Sequence, residues 1–302
     1  MRDTYRSFFI PTLEDGENVY HYTSAEALKG ICENEFWVTE SHFLNDSTEF
    51  QLGTEIVLEV LSEVLNDDDL SKILEKALPK EVDESDTLIH ISKEYTYAGF
   101  YVISFCLDND SALMWSQYSN YCGYCMEFNL QELVQAFNAK YIYHGKVLYT
   151  KEEQKACVKK MIDMALDKRS GILTLPQKND EEKYNQEELV EFVDRLMYIC
   201  LYYNMFFKKQ CFSGENEYRI VFPAVHDNDM VAEKEQTKQF FRVKNEVLIP
   251  YIKKSVGNMD ALKAVVIGPK NNSDIAEKGL RCFFRNKKMS VNVSKSEIPL
   301  RY

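Results

Sequence analysis

The chain has 302 residues, a formal net charge of −12 and a pI near 5.1, with 45% apolar, 28% charged and 13% aromatic residues. This is the composition of a globular protein with ample length for a core, and it excludes a fibrous or disordered chain. The acidic balance also argues against non-specific nucleic-acid binding, which needs a basic footprint; two local basic groups, Lys208, Lys209 and Arg219, and Arg281, Arg285, Lys287 and Lys288, read as solvated faces.

The start of the chain has no apolar run followed by a small-residue cleavage site, so no secretory signal is expected. No stretch of about 18 apolar residues exists to span a membrane. The 8 cysteines are scattered among apolar residues and read as reduced core residues of a cytoplasmic protein. Cys122 and Cys125 have CxxC spacing, but no second pair follows, so zinc is not expected there.

In chain order, residues 18–21 read as a short strand and 25–33 as a helix with Ala25, Leu28 and Ile31 spaced by three. Thr23 and Glu26 form a capping-box pattern at its start. A strand is expected at 35–39, then a helix over about 47–65 with an apolar stripe of Ile56, Val57, Val60, Leu61 and Val64, capped by Asp46 and Glu49. Residues 66–96, acidic and broken by Pro79, continue a peripheral helical segment over about 47–96. Strands at 99–106 and 123–128 flank a short helix at 111–119. A helix and a strand fill 130–149. Residues 151–210 form a second helical segment, interrupted near 171–179 and ending in a long amphipathic helix over 186–209. A strand at 215–222, a strand at 264–267 and a helix over 275–284 complete the pattern. Helices are not regularly interleaved with buried strands, so an α+β fold with a mixed or antiparallel core sheet and a helical insertion is expected, as a single domain over 1–302.

Five short constellations carry possible chemistry. Tyr20-His21-Tyr22-Thr23-Ser24 sits at a strand end, where a histidine can donate from one ring nitrogen and accept at the other. That suits a ribose hydroxyl or a carboxamide; the plainer alternative is a structural histidine beside a helix cap. Leu44-Asn45-Asp46 with Glu49 is explained by capping alone. Ser104 shares a strand face with Val102 and Cys106, and a hydroxyl on an apolar face needs a partner. Trp115 and Tyr118 lie three apart on a helix and offer a stacking wall or core packing. Lastly, Glu215, Glu217 and Arg219 alternate with Tyr218, Ile220 and Phe222, placing two carboxylates and a guanidinium on one strand face at steps of roughly 7 Å. An ionised glutamate there can stabilise an oxocarbenium-like centre; the alternative is a solvated face with cross-strand ion pairs.

These pieces occur in an order that resembles an uncharacterised family of bacterial and phage-associated proteins. The shared pattern reads here as His21-Tyr-Thr-Ser24, Leu44-Asn-Asp46 with Glu49, Ser104-Phe105, Met114-Trp115 with Tyr118, Gly123, Phe128, Lys208 or Lys209, Glu215 and Glu217 with Arg219, and Gly268-Pro269. That family is in turn similar to diphtheria-toxin-type ADP-ribosyltransferases, which open with a strand ending in His and close with a catalytic Glu on a late strand. The resemblance implies an ADP-ribosyltransferase-like sheet and NAD as substrate. It further implies Glu217, or Glu215, as the catalytic glutamate with His21 as a further catalytic residue, and His21, Tyr22, Thr23, Ser104, Trp115, Tyr118 and Arg219 around the NAD. One departure is Phe212, where family members commonly carry Trp.

On this reading the chain transfers ADP-ribose from NAD to a macromolecule, or hydrolyses NAD, and the resemblance implies a role in phage defence or a toxin system. The alternative is a non-enzymatic nucleotide-binding sensor or scaffold. A third reading, a nuclease with acid-held Mg²⁺, lacks a recognisable metal spacing.

Overall fold

The computed structural model describes residues 8–46, 49–65, 67–78, 96–139, 142–226, 238–244, 246–271 and 273–300. The elements run β1 (Asn18–Thr23), α1 (Ala25–Ile31), β2 (Glu35–Glu40), α2 (Glu49–Leu65), α3 (Asp68–Ala77), β3 (Thr96–Cys106), α4 (Ala112–Ser119), β4 (Tyr124–Asn129), α5 (Leu130–Ala136) and β5 (Tyr143–Lys146). They continue with α6 (Lys151–Leu166), α7 (Gln186–Asn204), β6 (Glu217–His226), β7 (Gln239–Lys244), β8 (Val247–Ser255), β9 (Leu262–Ile267), α8 (Ser273–Lys287) and β10 (Asn292–Lys295). The architecture is α+β around a mixed open sheet, ordered β10-β9-β4-β1-β3-β2-β8-β7, with β6 on β3 and β5 on β6. All strand pairs are antiparallel except β9–β10.

The hub is β3. Along one edge it pairs with β6 from Thr96 to Cys106. Along the other edge it meets two strands, β1 at Cys106 through Tyr20 and β2 at Tyr101 and Val102. Between Val102 and Cys106 no register pair joins β3 to either strand, so the sheet is split there.

Period-two alternation sorts residues to two faces. Tyr101, Ile103 and Phe105 join Val19, Val38, Ile220 and Val265 under α1, α5 and α8. On the opposite face, Val102 and Val221 pack under α2, α6 and α7, whose apolar residues recur at helical spacing. Cys106 packs there with Tyr22 and Trp115 under α4. Among the described residues no helix packs on the half-face formed by β2, β8 and β7, and Trp37 is exposed on it.

Several sequence-based boundaries shift. Ser24, not Thr23, caps α1, accepting from Ala27 N at 3.2 Å, while Thr23 stays in the β1 ladder opposite Tyr124. The last long helix ends at Asn204 rather than 209: the buried residues Met205 and Phe206 form a turn, and Phe207 then bridges Leu148. Residues 47 and 48, inside the expected cap at Asp46–Glu49, and all of 79–95 lie outside the described residues. Cys122 is exposed and Cys125 buried, so the CxxC thiols occupy different environments.

The helical layer depends on close approach of α2 to α7. A Cβ on Gly53 would stand 2.5 Å from Asn204 Oδ1 and 2.6 Å from Asn204 N, and Asn204 itself accepts from Thr54 N. Gly53→Ala is expected to lower unfolding stability by about 1–3 kcal/mol through overpacking. An unchanged urea midpoint would contradict this packing.

Candidate functional site

The centre of the site is a buried quartet of charges. Lys208, Glu215, Glu217 and Arg219 are all at most 5% exposed. Arg219 grips Glu217 in a fork, Nε to Oε1 at 2.8 Å and Nη2 to Oε2 at 2.9 Å, and its Nη1 donates to the Met205 carbonyl at the end of α7. Lys208 Nζ donates to Glu215, to Glu217 Oε2 at 3.2 Å and to Asn45 Oδ1 at 3.0 Å. Asn45 closes the ring, donating to Glu215 Oε1 at 2.8 Å. Two cations and two anions thus cancel. Charges can be buried together only under such pairing.

Local structure explains how the quartet assembles. Gln154 on α6 donates to both the Leu148 and Lys208 carbonyls, fixing the segment that carries Lys208. Glu215 is not on the strand, as its spacing suggested; it ends a 3₁₀ turn (Gln210–Glu215), and β6 begins at Glu217. Asn216 makes the corner in the left-handed region, at φ 43°, which Asn tolerates. Phe212, in place of the expected Trp, lies over the Lys208 ammonium at 5.2 Å. The alternative of a solvated face for Glu215, Glu217 and Arg219 therefore gives way to a buried one, and Lys208 leaves the solvated basic group. The helices α2, α6 and α7 cover that face, which strand alternation alone does not reveal.

The Glu217 carboxyl responds to both burial and charge. Burial raises its pKa, but Arg219 and then Lys208 outweigh burial and hold it at about 2. Ser104, directly across from Arg219, also donates to it. The backbone N–H of Glu217 donates to Tyr149 Oη at 2.9 Å, and burial, then the Glu217 charge, raise the Tyr149 pKa.

His21 reaches the same spot from the other side. Tyr20 pairs with Cys106, and Cys106 with Glu217, so these three share a face; His21 is one residue on and emerges beside Phe105, ring centroids 5.6 Å apart. In the split it meets the Ser104 carbonyl, 3.0 Å from Nδ1. A carbonyl only accepts, so Nδ1 carries the proton. Burial, and beyond the Ser104 bond the nearby Arg242 charge, lower the His21 pKa. The neutral ring then presents Nε2 as an acceptor. Ser104 is the one residue from Phe100 to Cys106 that is not buried, so the surface reaches β3 at this point.

The remaining residues divide. Tyr22 Oη accepts from Ser111 N and donates to the Asp108 carbonyl, both at 2.8 Å. Trp115 is fully buried, its Nε1 donating to Asp110 and its ring edge-on to Tyr22 at 4.8 Å. Trp115 therefore has no open face for a ligand ring. Tyr118, on the same side of α4, is half-buried against that cluster. Thr23 is buried in β1. Ser104 is the shared point: its carbonyl meets His21 and its hydroxyl meets Glu217, which is gripped by Arg219 and joined to Glu215 through Lys208, while Trp115, Tyr22 and Thr23 belong to the frame. Asn45 and Lys208, singled out only as parts of a pattern, are direct partners of the acids. Arg242, Tyr149 and Gln154 carried no local signal. Two cavities lie elsewhere, between α2 and α3 (about 230 Å³) and between α1 and α8 (about 380 Å³). Among the described residues no group of His, Cys, Asp and Glu is arranged to hold a metal ion, and no helix is long and apolar enough to cross a membrane.

Residues 114–220 match a family model described as a protein of unknown function, DUF2971. The match runs from α4 into β6 and includes Trp115, Tyr118, Lys208 and the whole Glu215–Arg219 cluster. No curated protein and no solved structure matches the chain.

Glu217→Gln would leave two buried cations facing one anion, and breaking such a set costs about 3–5 kcal/mol. A large fall in the urea midpoint is therefore expected, where a surface carboxylate would change it little. The sign with pH follows from a folded pKa of about 2 against an ordinary 4.5. The Glu217 contribution is complete above pH 4.5 and is lost as pH falls toward 2. The stability gap between wild type and Glu217→Gln should narrow over that window, and a gap independent of pH would contradict the depressed pKa.

Proposed function

We propose that the split at Ser104 handles NAD in an ADP-ribosyltransferase-like reaction. The observation that carries this reading is the meeting at one solvent-reached residue of the two ends of the family pattern, His21 from β1 and Glu217 from β6. In such a reaction the bond between nicotinamide and ribose C1′ breaks, and the acceptor's nucleophile forms the new bond at C1′ while losing its proton. Water in that role gives ADP-ribose. An ionised Glu217 offsets the positive charge that develops on the ribose. Arg219 and Lys208 keep Glu217 ionised and fixed. The neutral His21 Nε2 is suited to accept from a carboxamide or a ribose hydroxyl. Tyr118, not Trp115, is the aromatic left for the nicotinamide ring.

A carboxylate has about four acceptor positions. Arg219 Nε, Arg219 Nη2, Lys208 Nζ and the Ser104 hydroxyl occupy four. Ser104 is the only one of these donors at the surface. A ribose hydroxyl reaches Glu217 by replacing it, while the three charged donors stay in place.

This saturation also favours a second reading, a nucleotide-binding sensor or scaffold that never releases nicotinamide. The two separate in one experiment, incubation with NAD labelled in its adenylate half together with a cell lysate. The catalytic reading expects nicotinamide release with label on protein, nucleic acid or free ADP-ribose, reduced about 10²–10³-fold in His21→Ala. NAD binding without nicotinamide release supports the sensor. Neither binding nor release contradicts both.

A further inference from the structure

The half-face of β2, β8 and β7 continues from the split. Thr39 pairs with Val102 on one side and Tyr251 on the other, and Tyr251 pairs with Phe240, two residues before Arg242. Arg242 therefore shares a face with Thr39, Ser104 and Glu217. Its guanidinium reaches back over β8, Nη2 donating to Thr39 Oγ1 at 2.7 Å. This bond fixes the plane of the fork.

One donor of that guanidinium is unmatched among the described residues. Arg242 Nε is buried and has no hydrogen-bond partner among the described residues. Burial lowers the Arg242 pKa, with Tyr251 opposing. Lys244 is the next residue on the same face of β7, and after burial it is the Arg242 charge that lowers the Lys244 pKa. No ion pair among the described residues includes either cation. In a chain of net charge −12, two neighbouring cations are thus left to repel one another, one of them with a buried idle donor. Leaving a buried charged donor idle costs folding free energy, and an anion in front of it removes that cost. A fixed guanidinium fork with a second cation beside it matches a phosphate oxygen pair.

We propose that Arg242, assisted by Lys244, forms a phosphate-binding subsite beside the split, built to take the diphosphate of a nucleotide whose ribose end lies at Ser104. This deepens the reading of the cleft as a nucleotide site and rests on it for the ligand's orientation. The quartet at Glu217 is internally neutral and has no cation to spare for phosphate. Arg242 and Lys244 supply what it lacks.

The test is calorimetric titration of the full chain with ADP, and with adenosine as the phosphate-free control. Arg242→Gln is expected to weaken ADP binding about 10- to 100-fold and Lys244→Gln less, with adenosine unaffected in both. The ADP affinity of the wild type should fall with added salt. Lys244 is the more exposed of the two, so Lys244→Gln keeps the test alive if Arg242→Gln loses its fold along with the Thr39 bond. ADP binding that is equal in wild type and Lys244→Gln and also in folded Arg242→Gln would overturn the subsite, as would a wild type that ignores ADP. NAD turnover is read separately. Arg242-dependent ADP binding without nicotinamide release keeps the subsite and removes the enzymatic reading. Turnover with KM unchanged in both variants does the reverse.

Discussion

Everything near the cleft is organised by the need to bury Lys208, Glu215, Glu217 and Arg219 together. Each charge alone would be very costly away from water. Held in a ring with Asn45, they satisfy one another, and the ring ties four separate pieces of chain into one place: the loop before α2, the segment after α7, the 3₁₀ turn and β6. Arg219 also takes the last carbonyl region of α7 through Met205. The helical layer is therefore anchored to the sheet by polar bonds at one end and by apolar packing around Val102 and Val221 at the other. Such a set adds less to stability than apolar residues of equal volume, but it tolerates very few alternative arrangements.

The split in the sheet is the second constraint. A strand edge that loses its neighbour exposes main-chain groups, and these need partners. His21 supplies one for the Ser104 carbonyl. The same residue that repairs the ladder thereby stands at the only point where solvent reaches β3 between Phe100 and Cys106. On the proposed reading, structural and functional demands on His21 and Ser104 coincide. In the proposed reaction the hydroxyl of Ser104 is the replaceable partner of Glu217.

Much of this was legible in sequence, residue by residue. Alternation placed Tyr218, Ile220 and Phe222 in the core, and helical spacing found the stripe of α2. The grouping of His21, Ser104, Glu217 and Arg219 came from the order of motifs. What stayed hidden depends on contacts between distant segments. The burial of Glu217 is decided by α2, α6 and α7, which lie far from it in the chain. Glu215 and Glu217 have strand spacing, but the left-handed Asn216 between them breaks the strand, and nothing in Glu-Asn-Glu announces that. Trp115 reads equally as wall or core until Tyr22 is seen against its ring. Arg242 looks like any outward residue of an edge strand, and only its reach to Thr39 and its idle Nε set it apart.

The most direct measurement is the side-chain carboxyl ¹³C signal of Glu217, assigned by mutation in glutamate-labelled protein and followed as NAD is added. Exchange of the Ser104 hydroxyl for a ribose hydroxyl predicts a shift at Glu217, with Glu215, held by Asn45 and Lys208, essentially still. A Glu217 signal that does not move while NAD is demonstrably bound would contradict the placement of the ribose at this carboxylate.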